Sequence, residues 1–92
     1  MKWVELAQEL KPEKVRVKRV ERISPNHLLI VLDADGEEYS FAIDLWEALD
    51  IERVKGYIRH WKETVIPLRR LARRLGEKEV EKLISEIQGV EI

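Results

Sequence analysis

The sequence predicts a single α+β domain spanning residues 1–92: a three-stranded antiparallel meander with an N-terminal helix and three C-terminal helices, in the order α-β-β-β-α-α-α. Three observations predict it. Between residues 14 and 43 apolar residues recur largely with period 2, broken by the turn signals Ser24-Pro25-Asn26 and Asp35-Gly36. On either side of that stretch the apolar spacing changes to steps of three and four. A chain of 92 residues, 45% hydrophobic, suits one core and not two.

Trp3, Leu6, Ala7 and Leu10 stand at i, i+3, i+4 and i+7, which predicts a short amphipathic helix over residues 2–10, stopped before Pro12. Val15 and Val17 alternate with Lys14, Arg16 and Lys18, and Val20 and Ile23 then fall out of phase, as in a bulged strand. Leu28–Leu32 is continuously apolar and includes Ile30 and Val31, the pattern of a central strand covered on both faces. Asp35-Gly36 is a hairpin signal, and Tyr39, Phe41 and Ile43 form the alternating third strand.

Asp44 with Glu47 three residues on matches a capping box, and Asp50 offers a separate cap for the helix that follows. Ile51, Val54, Ile58, Trp61 and Val65 then define one apolar stripe. Pro67 lacks a backbone N–H and disfavours helical geometry at Ile66, so a break or kink is expected there. Leu68, Leu71, Ala72 and Leu75 start a new stripe, with Gly76 expected as its C-cap. Val80, Leu83, Ile84 and Ile87 repeat the spacing up to Gly89. Trp3, Trp46 and Trp61 lie on or beside apolar stripes and read as core anchors.

The composition is thermophile-like, with 38% charged residues, no cysteine and one methionine. Absence of cysteine excludes disulfide staples, thiolate metal sites and a cysteine nucleophile. The longest apolar run is far too short to span a bilayer, and the N-terminus lacks a signal-peptide core, so a cytoplasmic location without membrane partners is expected.

The net charge is only −1, but its distribution is uneven. Residues 51–76 carry eight basic and two acidic side chains, and residues 77–92 carry two basic and five acidic. On helices advancing about 100° per residue, Lys55, Arg59 and Lys62 align beside the apolar stripe. Arg69, Arg70, Arg73 and Arg74 cover the face opposite Leu68, Leu71 and Leu75. These seven are the candidate contacts for an anionic partner, because guanidinium forks bind phosphate and carboxylate bidentately. Equally, they can pair with carboxylates of the same chain. Lys14, Arg16 and Lys18 read as charges that protect a sheet edge.

Two short stretches and the element order resemble known motifs. Leu68-Arg69-Arg70-Leu71-Ala72-Arg73-Arg74-Leu75-Gly76 resembles the first helix and turn of helix-turn-helix DNA-binding proteins. The next helix departs from that pattern, with Val80 close after the glycine and Glu77, Glu79 and Glu81 where a recognition helix faces phosphate. The order helix, three strands, helix resembles double-stranded-RNA-binding domains, but Asp44-Leu45-Trp46-Glu47 stands where their lysine-rich signature belongs. Leu32-Asp33-Ala34-Asp35-Gly36 resembles the end of the LAGLIDADG motif; the bulky Leu29-Ile30-Val31 before it suits a strand, leaving Asp33 and Asp35 as turn residues.

Catalytic candidates are few. His27 and His60 are the only histidines, and neither has a carboxylate or nucleophile partner evident in sequence. No cofactor, metal or catalytic residue is expected. The expected function is a small non-catalytic binding module, acting by protein–protein interaction or self-association. The alternative is nucleic-acid binding through the basic helical face of residues 53–74.

Overall fold

The computed structural model describes residues 2–92. It is an α+β arrangement of an N-terminal helix, a three-stranded antiparallel sheet and C-terminal helices. Helix α1 (Lys2–Ala7) continues into a 3-10 turn over Gln8–Leu10 and packs on helix α4 (Ile66–Ala72). Strands β1 (Val15–Ser24), β2 (His27–Ala34) and β3 (Glu37–Asp44) pair in the order β1-β2-β3, so β2 is central and β1 is an edge.

Two register shifts interrupt β1, between Val17 and Arg19 and between Arg22 and Ser24. They account for the phase change seen in sequence. Val17 lies opposite Leu32 and Val20 opposite Ile30; Lys18 is the extra residue between them, and it returns Val20 to the side of the sheet that Val17 occupies. The β2–β3 turn has positive φ at both central residues, 52° at Asp35 and 89° at Gly36, as a type I′ hairpin requires. Asp33 Oδ1 accepts the Gly36 N–H at 2.8 Å, and the Asp35 carboxylate accepts the N–H groups of Glu13 and Lys14 at 2.9 and 3.0 Å. The turn thereby ties itself to the start of β1.

Helix α2 (Leu45–Ala48) opens with the expected capping box, in which Glu47 Oε1 accepts the Asp44 N–H at 3.3 Å. Asp50 caps helix α3 (Ile51–His60) by accepting the N–H groups of Glu52 and Arg53. Of the break or kink expected at Pro67, no outright break occurs: the chain runs on through a π-helical segment, Trp61–Val65, into α4, with Ile66 at φ −63° and ψ −48°. The wide turn sends the Ile66 N–H to the Trp61 carbonyl, five residues back. By shifting the hydrogen-bond ladder just upstream of Pro67, it accommodates the residue that cannot donate. Gly76 is likewise not a left-handed C-cap; its φ is −86°, and it stands at the N-cap of helix α5 (Glu77–Gln88).

The core lies between α3, the π segment and α4 on one side and the helix-facing side of β2 and β3 on the other. Ile30, Leu32 and Ile43 are buried beneath Val54, Tyr57, Ile58 and Trp61, while Ala34, Tyr39 and Ile66 form a second buried group. Trp61 stacks on Phe41 with ring centroids 5.2 Å apart. Trp46, read from sequence as a core anchor, is 61% exposed, with Arg53 5.3 Å above its ring. The other side of the sheet carries ion pairs instead of helices, joining Arg16 to Asp33, Lys18 to Glu38, and Arg19 to both Glu21 and Glu38. Among the described residues no helix is long and apolar enough to cross a membrane.

Candidate interaction surfaces

The arginines of α4 divide into two kinds. Arg70 is largely buried: its guanidinium lies 2.8 Å from Glu37 Oε1 and donates to the Leu10 carbonyl at 2.9 Å. Arg73 donates to Glu37 Oε2 at 2.7 Å and to the Tyr39 hydroxyl at 3.2 Å. Its hydrogen bond is the largest influence holding the Glu37 carboxyl below its ordinary 4.5, opposed by desolvation and aided by Arg70. These two arginines are staples joining α4 to the β2–β3 hairpin and the N-terminal turn. Arg69 instead lies 4.9 Å over the Trp61 ring. Among the described residues, Arg69, Arg74, Arg59 and Lys62 form no ion pair, and Lys55 meets only its helical neighbour Glu52, at 3.4 Å. The seven candidate residues therefore do not form one surface.

By helical angle, the cations of α3 and the π segment stand beside an exposed strip of sheet. Tyr57 meets Phe41 of β3 edge-on and donates its hydroxyl to Glu47, which fixes that flank of α3 on the β3 side. At about 100° per residue, Lys55, Arg59 and Lys62 leave the helix from the opposite flank, above β1. The Asp35 carboxyl, in the β2–β3 turn, is held below 3.8 chiefly by the Glu13 and Lys14 N–H groups, against desolvation, with smaller help from Arg70 and then Lys62. No helix covers β1 here. Val17 and Val20 share the side of the sheet on which Leu32 and Ile30 are buried, yet remain 41% and 52% exposed. The result is a trough with an apolar floor on β1 and a basic wall on α3.

Helix α5 is the converse element. Leu83 lines a small apolar pocket together with Trp3, Leu68, Leu71, Ala72 and Leu75. The rest of its apolar stripe is bare, with Val80, Ile84 and Ile87 being 42%, 49% and 69% exposed. By helical angle, Glu77 and Glu81 line the Ile84 edge of that stripe, Glu79 and Glu86 line the Leu83 edge, and Lys78 and Lys82 are at the back. The whole chain shows the same incompleteness. A compact domain of its mass, 10.9 kDa, exposes roughly 5,600 Å², whereas this one exposes 7001 Å². Its radius of gyration is 15.7 Å, against about 12 Å expected for a compact chain of this length.

One polar row escaped the sequence reading. His27 Nδ1 lies 2.8 Å from Ser24 Oγ, and His27 Nε2 lies 2.8 Å from Asp44 Oδ1. Ser24 and His27 face each other across the β1–β2 turn, whereas Asp44 reaches His27 only through the β2–β3 pairing. The row is solvent-exposed, and the nearby Leu45 N–H is already consumed by the Asn26 carbonyl at 2.9 Å instead of being aimed at Ser24 Oγ. Its geometry suits cross-strand hydrogen bonding at the sheet end. Among the described residues, no group of three His, Asp or Glu side chains is placed to hold a metal ion.

Comparison with protein-family models, curated proteins and solved structures finds no match. The functional reading rests on the surfaces just described.

Proposed function

We propose that this chain is a non-catalytic protein-interaction module whose principal partner is a second copy of itself. The observation that carries the reading is the bare apolar stripe of α5, Val80, Ile84 and Ile87, on a helix that covers little of its own domain. Exposed apolar surface in a contiguous stripe is costly in water and marks a surface that another molecule covers. The surface in excess of a compact domain, roughly 1,400 Å², exceeds the ~800 Å² that each partner of a stable complex typically buries.

Nucleic-acid binding is the weaker reading because the arginine cluster is divided. Glu37 engages Arg70 and Arg73, so the phosphate-facing inventory falls to Arg59, Lys62, Arg69 and Arg74 with Lys55. Those residues are spread along two helices, and the glutamates of α5 add a repulsive surface. The test is sedimentation of the full chain over a range of concentrations. The expected result is a dimer that persists at high salt; a monomer at every concentration overturns the proposal.

A further inference from the structure

The trough over β1 and the stripe on α5 are complementary in polarity and charge, and the apolar residues of both are exposed in a single copy. We infer that they are two halves of one interface: α5 of each copy lies in the trough over β1 of the other, so that the dimer is a reciprocal helix exchange. The inference rests on the self-association reading above and names its geometry.

Three features carry it. The floor offered by Val17 and Val20 is bordered by Lys55, Arg59 and Lys62, of which the last two have no ion-pair partner among the described residues. The stripe offered by Val80, Ile84 and Ile87 is bordered on its outward edge by Glu77 and Glu81, which also have no ion-pair partner among the described residues. Opposite charges therefore flank matching apolar strips, the arrangement that sets both register and orientation at an interface. Moreover, Leu83 lies on the opposite edge of the stripe, where it lines a pocket with Leu68, Leu71 and Leu75 of its own chain, while Ile84 is exposed. Docking requires no unfolding. A two-fold axis makes each copy donor and acceptor once, which doubles the area covered and closes the assembly.

The test uses the full chain, which has no cysteine of its own. Val20→Cys and Ile84→Cys are made separately, one carrying a mass tag, and both positions are exposed enough to leave the fold undisturbed. After subunit exchange, the mixture is treated with a short thiol-to-thiol cross-linker. The expected product is a mixed adduct between the two variants, with little adduct in either variant alone. A dimer lacking the mixed adduct, or one dominated by an Ile84→Cys adduct with itself, overturns the exchange while leaving self-association standing. A monomer in which a chain carrying both substitutions cross-links internally overturns both. As a second readout, Glu81→Lys is expected to weaken the dimer, and Arg59→Glu in the same chain to restore it; failure of the second change to restore the dimer overturns the assigned pairing.

Discussion

Arg70 and Glu37, 33 residues apart in sequence, meet at 2.8 Å, and the arginine side chain is only 18% exposed. This pair joins the last turn of α4 to the β2–β3 hairpin, and the Arg70 bond to the Leu10 carbonyl adds the N-terminal turn. Removing the charge leaves a largely buried guanidinium without its carboxylate. Glu37→Gln is therefore expected to cost about 1–3 kcal/mol, within the range for hydrogen bonds to charged groups, as measured by urea unfolding. An unchanged midpoint would show that the pair contributes nothing.

The acid side of the stability profile follows from the same contacts. Glu37, Glu38 and Glu47 are each held below 4.5 and Asp35 below 3.8, by Arg73, Lys18, Tyr57 and the Glu13 N–H respectively as the leading causes. A carboxylate depressed in the folded state binds fewer protons there than in the unfolded chain. Its contribution is complete above the unfolded value and is lost as pH falls through the folded one. The melting temperature is expected to be flat down to about pH 5 and to decline below it. Thermal unfolding between pH 7 and pH 2 checks this, and Glu37→Gln should make the decline shallower.

The hairpin turn gives a purely conformational test. Nothing lies within 4 Å of a Cβ built on Gly36, so Gly36→Ala meets no clash. It must nevertheless adopt the φ of 89°, at an expected cost of about 1–2 kcal/mol, read by chemical unfolding.

A core substitution sets the scale for these effects. Ile66 is fully buried against Ala34 and Tyr39, directly before Pro67. Ile66→Ala is expected to cost about 2–5 kcal/mol through lost transfer energy and the cavity it leaves. Ile84→Glu, on the bare stripe of α5, is expected to leave the melting profile of the isolated domain within about 0.5 kcal/mol while abolishing the dimer. Sedimentation together with thermal unfolding separates the two outcomes.

Salt distinguishes the two functional readings. If generic DNA or RNA binds at all, it is expected to do so weakly and to be lost steeply as salt rises, because only phosphate contacts hold it. The dimer, built on apolar burial with a charged rim, is expected to weaken only modestly over the same range. Tight nucleic-acid binding that survives 200 mM salt, roughly the top of the range where such contacts fade, would reverse the order of the readings.

The meander, its turns and the caps were legible in the sequence because they are local. Asp35-Gly36 carries its own backbone preference, Asp44 and Glu47 bond to each other within one turn, and the out-of-phase Val20 betrayed a bulge without any partner strand in view. Pro67 signalled an irregular helix, but its missing N–H does not say whether the chain breaks or, as here, shifts its hydrogen-bond ladder through a wide turn upstream. Gly76 misled because its residue type permits a left-handed cap without requiring one.

What the sequence determined by itself was therefore the periodicity of each element and the segregation of charge between residues 51–76 and 77–92. Only the tertiary structure decided which of those charges are spent inside the molecule. Arg70 and Arg73 are claimed by Glu37, whereas Arg59 and Lys62 have no ion-pair partner among the described residues. The reason is physical: ion pairing depends on a few ångströms of separation between residues dozens of positions apart, and chain spacing carries no information about that distance until the sheet and helices have packed.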